Sequence, residues 1–210
     1  MTAVSFDLFG TLAEVDRPDD PAGAVAAELS SRGVDVPDDW GDAYREPHVD
    51  APAGAEVPLP AHVSRALASR GVDAPGNAAR RAVVAAFDPA VRTREGAVAA
   101  VAAAGERGPV GLLSNCAVPE LVGRTLVRSE LARDDFDAVV SSVACGWRKP
   151  DRRAFERVAD AVGIGVGELV HVGDDPATDG GVVEHGGRFV DVAEESLAEV
   201  AAAWRDGNGV

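Results

Sequence analysis

Two rhythms of apolar and polar positions divide the chain. From about Thr93 onward, helical patterns alternate with short continuous apolar runs. Residues 93–107 read as a helix, 110–115 as a strand, 119–131 as a helix and 136–142 as a strand. Then come helix 151–162, strand 169–174, helix 178–184, strand 188–192 and helix 195–204. Runs without polar alternation suit strands covered on both faces, and strict strand–helix alternation builds a parallel sheet. The segment Val4-Ser5-Phe6-Asp7-Leu8-Phe9-Gly10-Thr11-Leu12 reads as one more buried strand entering a glycine turn.

Residues 13–89 behave differently. Helical patterns over 22–32, 60–70 and 77–87 stop at Gly33, at Gly71 and before Asp88-Pro89. A Pro-, Asp- and Gly-rich stretch from 36 to 58 holds one short helix near 40–45. No strand pattern is evident before Thr93, so this half reads as a helical insertion after the first strand. The expected architecture is an α/β fold: a Rossmann-like, doubly wound parallel-sheet core over residues 1–12 and 90–210. A small helical cap domain occupies 13–89.

Composition narrows the classes. A net charge of −15 disfavours nucleic acid and anionic lipid as partners, because both are polyanions. No apolar run approaches the roughly 20 residues of a membrane-spanning helix, and the first residues lack a signal-peptide pattern. Two cysteines without zinc spacing suit reduced thiols in a cytoplasmic protein. The acidic excess, the low aromatic content and 19 Arg against a single Lys fit a halophilic protein from a GC-rich genome.

Ligands of open parallel sheets bind beyond the carboxyl ends of the strands. There the sequence places Asp7, Ser114-Asn115, Trp147-Arg148-Lys149-Pro150, and Gly173-Asp174-Asp175 with Asp179. Carboxylates can hold Mg²⁺, one further carboxylate can act as nucleophile, and a hydroxyl and an ammonium can hold a transferring phosphoryl group. That Lys149 alone escaped replacement by Arg points the same way. A compact ammonium reaches between a carboxylate and a phosphate where a planar fork fits less readily.

These segments resemble, in order, the four motifs of the haloacid dehalogenase-like hydrolase superfamily, in the branch with a helical cap after the first motif. The resemblance implies that Asp7 is the nucleophile, with Thr11 in the same motif, and that it forms an aspartyl-phosphate. It implies that Ser114 and Asn115 meet the phosphoryl oxygens and that Lys149 orients the nucleophile. Mg²⁺ would be held by Asp7, the Phe9 carbonyl, Asp174, and Asp175 or Asp179. The substrate would be a small phosphorylated molecule, and the protein a monomer or homodimer.

One departure matters. Phosphatases of the family carry a second Asp two residues after the nucleophile, as general acid and base. Here that residue is Phe9, so about 10²–10⁴-fold of rate is forgone unless the leaving group needs no proton. Acyl or aryl phosphates satisfy that condition. Dehalogenases tolerate an aromatic residue there, but the acidic fourth motif argues for a cation. The absence of Lys from the cap excludes a Schiff-base branch. Three readings stay open: a Mg²⁺-dependent phosphatase, a carbon–halogen hydrolase, and a non-catalytic binding protein. In the cap, Arg45 is the candidate contact to a substrate phosphate or carboxylate, with a surface ion pair as the plainer reading. Trp40, Tyr44, His48 and His62 are further candidates, with packing as the default.

Overall fold

The computed structural model describes residues 2–207. Strands β1 (Ala3–Phe6), β4 (Val110–Ser114), β5 (Ala138–Ser141), β6 (Leu169–Gly173) and β7 (Arg188–Asp191) form one sheet. Their order is β5-β4-β1-β6-β7, and every pair is parallel. The chain therefore runs outward from β1 on one side and returns to fill the other, which leaves a switch point beside β1.

Side chains alternate between the two faces. Val4, Phe6, Leu112, Val170 and Val172 pack beneath α5 (Ala97–Gly105) and α9 (Leu197–Arg205). Ala3, Leu113 and Leu169 pack on the opposite face with Phe155 and Val158 of α8 (Arg152–Ala161). Burial on both faces is why these strands read as unbroken apolar runs. Helix ends carry their own signals. Asp151 accepts from the Arg153 N–H at 2.9 Å, and Ser196 and Glu199 form a capping box.

Between β1 and β4 lie α1 (Pro21–Ser30), α2 (Trp40–Arg45), α3 (Leu59–Ser69) and α4 (Ala78–Ala86), with α1 against α4 and α3 against both α2 and α4. Asp20 caps α1 by accepting from the Gly23 N–H at 3.0 Å.

Two expectations fail here. The insertion is not free of strands: β2 (Ala13–Val15) pairs antiparallel with β3 (Val91–Thr93), as a two-stranded ribbon at its base. Three-residue strands are too short to show a period. Helix α5 consequently begins at Ala97 rather than Thr93, after Gly96 in the left-handed region at φ +82°. The helix expected over 178–184 is a 3-10 helix, Asp179–His185. No helix among the described residues is long and apolar enough to cross a membrane.

Candidate active site

Strand β1 delivers Asp7 to the carboxyl edge of the sheet. The Asp7 N–H continues the ladder by donating to the Val172 carbonyl at 2.9 Å, and the side chain is buried. The chain then turns tightly, with the N–H groups of Leu12 and Ala13 both donating to the Leu8 carbonyl. Gly10 makes the turn possible twice over. Its φ is +92°, and a Cβ there would run into the Asp174 carboxylate. Arg94, just beyond β3, donates to the Gly10 carbonyl and so ties this loop to the ribbon. The Thr11 hydroxyl donates to Asp174 Oδ1 at 2.8 Å and orients that carboxylate.

Lys149 lies at the centre, 2 % exposed. Its ammonium donates to Asp7 Oδ1 at 2.7 Å and to Asp179 Oδ1 at 2.5 Å. Its backbone is clamped by Asn115, whose amide donates to the Lys149 carbonyl at 3.0 Å and accepts from the Lys149 N–H at 2.8 Å. Both ends of the Asn115 amide thus help to hold the loop. Asp7, Asp174 and Asp179 each place a carboxylate oxygen within 4.8 Å of the others. Asp179 is held further by the Asp175 N–H at 3.1 Å.

The electrostatics follow from this crowding. Burial pushes the Asp7 carboxyl up to about 6; the Lys149 ammonium opposes the rise, and Asp179 and Asp174 add to it. Burial would also raise Asp179, but the His171 bond and the Lys149 charge outweigh it and hold that carboxyl well below the usual range. For Lys149, Asp7 and Asp179 together overcome burial and raise the ammonium's pKa.

His171 lies inside the apolar run of β6 and belongs to none of the four motif segments. It is fully buried in β6, with Nε2 3.1 Å from Asp179 Oδ1, Nδ1 2.7 Å from the Ser5 hydroxyl, and the Lys149 ammonium 3.4 Å away. Burial and the Lys149 charge push its pKa down to about 4, so the ring is neutral at pH 7. The acceptor-only carboxylate requires Nε2–H, which leaves Nδ1 to accept from Ser5.

Other candidates sit as follows. Ser114 Oγ, at the end of β4, is buried and has no hydrogen-bond partner among the described residues. Asp175 stands apart from the three-carboxylate cluster: it accepts from the Ala177 N–H and the Thr178 hydroxyl and so shapes its own loop. Arg45 is corrected. It lies on the exposed face of α2, paired with Asp42 three residues back at 2.9 Å, and lines neither cavity at the site. Trp40, Tyr44, His48 and His62 pack together within the insertion.

The arginines at the site are instead Arg17 and Arg148. They line a cavity of about 310 Å³ with Asp7, Lys149, Asp174 and Asp179. A second cavity of about 220 Å³, mainly apolar, shares Phe9, Arg17 and Asn115 with it.

A family model described as haloacid dehalogenase-like hydrolase matches residues 1–181. No curated protein matches the sequence. Among solved structures, the chain is similar to a defluorinating L-2-haloacid dehalogenase, with a TM-score of 0.60 and 21% identity over 97% of this chain and 95% of that one. It is similar to CbbY from Rhodobacter sphaeroides in complex with xylulose-(1,5)bisphosphate, at 0.59 and 18%, covering 90% and 85%. A phosphatase from Thermococcus onnurineus gives 0.54 and 19%, covering 91% and 86%. At these identities the likeness concerns the fold, which phosphoryl and carbon–halogen chemistries share.

Proposed function

The chain belongs to the haloacid dehalogenase-like hydrolases, and on that premise we propose that it is a Mg²⁺-dependent phosphatase acting through an aspartyl-phosphate on Asp7. The observation that carries this reading is the convergence of Asp7, Asp174 and Asp179 around one buried ammonium. Three carboxylates lie within 4.8 Å of one another while Lys149 bonds only Asp7 and Asp179, so a cation beside Asp174 would relieve their mutual repulsion. The donors are all carboxylate oxygens, as a hard divalent ion prefers, so the residues fit Mg²⁺. Asp7 and Asp174 would hold it with the Phe9 carbonyl. Asp179, with both oxygens already engaged, faces the cluster while fixing Lys149. When bound, the ion neutralises phosphoryl charge and orients the phosphate.

The protein's own groups perform the rest. Lys149 holds Asp7 Oδ1, leaving the other carboxylate oxygen to attack phosphorus. The unpartnered Ser114 hydroxyl supplies a donor for a phosphoryl oxygen. Arg17 and Arg148 add positive charge at the cavity wall. Water then attacks the phosphorus of the aspartyl-phosphate, releasing inorganic phosphate and restoring Asp7. Phe9 contributes no proton at either step, which restricts the enzyme to leaving groups that depart unaided.

Phe9 also favours a second reading, hydrolysis of a carbon–halogen bond, in which halide leaves without a proton. Removing Mg²⁺ separates the two, because it abolishes phosphatase turnover and spares dehalogenation. The direct test is hydrolysis of acetyl phosphate and p-nitrophenyl phosphate in high KCl, with Mg²⁺ or with chelator, by native and Asp7→Asn proteins. Turnover lost with either change supports the reading. No hydrolysis by the native protein, with Asp7→Asn indistinguishable from it, ends it.

A further inference from the structure

Next to the carboxylate site lies the mainly apolar chamber of about 220 Å³. Leu59 of α3, Phe87 after α4, and Val118 and Leu121 at the start of α6 (Leu121–Arg128) form its far walls. Phe9, Arg17 and Asn115 line both spaces, so a ligand with its phosphoryl group beside Asp7 has the chamber as the adjoining room for its ester portion.

We infer that this chamber holds the leaving group, and that the substrate is a phosphate monoester of a compact phenol-like alcohol. The inference rests on the phosphatase reading. Three observations carry it. The first is size: a cavity of about 150 Å³ takes up a benzene ring, so about 220 Å³ accepts one substituted ring.

The second is lining. Of the polar side chains in the wall, Asn115 is committed to the Lys149 backbone, and the Cys116 thiol is turned to the Val118 carbonyl at 3.3 Å. Arg17 and Asp16 are the remaining charged groups at the chamber. A polyol reaching past Asp16 and Arg17 to the walls formed by Leu59, Phe87, Val118 and Leu121 would meet apolar side chains and leave hydroxyls unpaired there, each costing about tenfold or more in affinity.

The third is Phe9 itself. The residue that removes the general acid also supplies apolar wall, so one side chain answers both requirements of a phenol. A phenol needs no proton to leave and it buries a ring. The balanced step is attack of the Asp7 oxygen on phosphorus with cleavage of the P–O(aryl) bond. The electron pair leaves on the phenolate, which takes its proton from solvent water.

The experiment compares phenyl phosphate, glycerol phosphate and acetyl phosphate on the native protein and on Leu59→Trp, which fills the chamber from the insertion side. Phenyl phosphate is expected to exceed glycerol phosphate in kcat/KM by about 30-fold or more, from burial of the ring alone. Leu59→Trp is expected to lower the phenyl-to-acetyl ratio at least about tenfold, an effect that misfolding, which reduces both alike, does not imitate. Glycerol phosphate matching phenyl phosphate, or a ratio unchanged by Trp, overturns the inference. If the native protein hydrolyses none of the three, the phosphatase reading has failed. The chamber is then judged by binding of phenylphosphonate against methylphosphonate in the presence of Mg²⁺. Tighter binding of the phenyl compound by about tenfold sustains the chamber, and equal binding overturns it.

Discussion

Replacing Lys149 by Met removes the ammonium that Asp7 and Asp179 share while keeping a flexible stem of similar length. Breaking a buried ion pair from one side costs about 3–5 kcal/mol. Proton uptake sets a ceiling that depends on pH, because a stranded carboxylate can neutralise itself. Held protonated in the fold at about pH 7.5, a group with an ordinary value of 3.8 costs about 5 kcal/mol; at about pH 5 it costs about 1.6.

Native Asp7, at about 6, already carries about 3 kcal/mol of that cost at the higher pH, so Met adds about 2 there. It adds close to nothing at the lower pH, where Asp7 is already protonated. Asp179 starts from the opposite side, held low, so its contribution is fully present above its ordinary 3.8 and is exposed to loss. The expected destabilisation is therefore about 3–5 kcal/mol near pH 7.5 and smaller by about 2 kcal/mol or more near pH 5, where the Asp7 part vanishes while the Asp179 part remains. Urea denaturation followed by circular dichroism, with chelator present, measures it at both pH values. A loss of equal size at the two would mean that Lys149 acts through packing, and the electrostatic account of the site would be wrong.

Mg²⁺ binding must displace a proton from Asp7, so by calorimetry affinity should weaken about tenfold from pH 7.5 to pH 5; a flat profile would place the ion away from Asp7. Phe9→Asp should raise kcat on alkyl phosphates by about 10²-fold and leave acetyl phosphate within a few-fold; parallel gains on both would count against a missing acid. Arg17→Ala should raise KM for acetyl phosphate by about tenfold, whereas Arg45→Ala should leave it within twofold, since only Arg17 lines the cavity. Burial pushes the Cys116 thiol up to about 11, so iodoacetamide at pH 8 should label the half-exposed Cys145 and spare Cys116, as mass spectrometry of peptides will show.

The sheet was legible because its strands are buried on both faces and leave unbroken apolar runs. The site residues at their ends were legible because Asp7, Lys149, Asp174 and Asp179 each break such a run or follow it. Arg17 was not, because nothing in a Pro- and Asp-rich linker says that the ribbon will bring it to the cavity that Asp7 lines. His171 was hidden for the opposite reason. It sits inside an apolar run, and its polar partners, Ser5 and Asp179, come from another strand and from the 3-10 helix that follows. Arg45 misled because a cationic residue on a short helix looks alike in sequence whether it faces a ligand or an aspartate one turn away. The two ribbon strands, at three residues each, carry less pattern than a turn does.

That ribbon has a topological consequence. Ala13 lies opposite Thr93, Glu14 opposite Arg92 and Val15 opposite Val91, so the chain leaves the sheet and returns to it through neighbouring residues. Everything between is a lariat with its knot at the base. Cutting the lariat off and joining the two stems by a hairpin turn would leave the sheet's threading untouched. Another lariat could be spliced onto the same stems without rerouting a strand. The stems set where such a graft attaches, and contacts farther out, from Glu56 to Ser142, Leu59 to Ala117 and Arg80 to Glu120, set how it lies over the sheet's carboxyl edge.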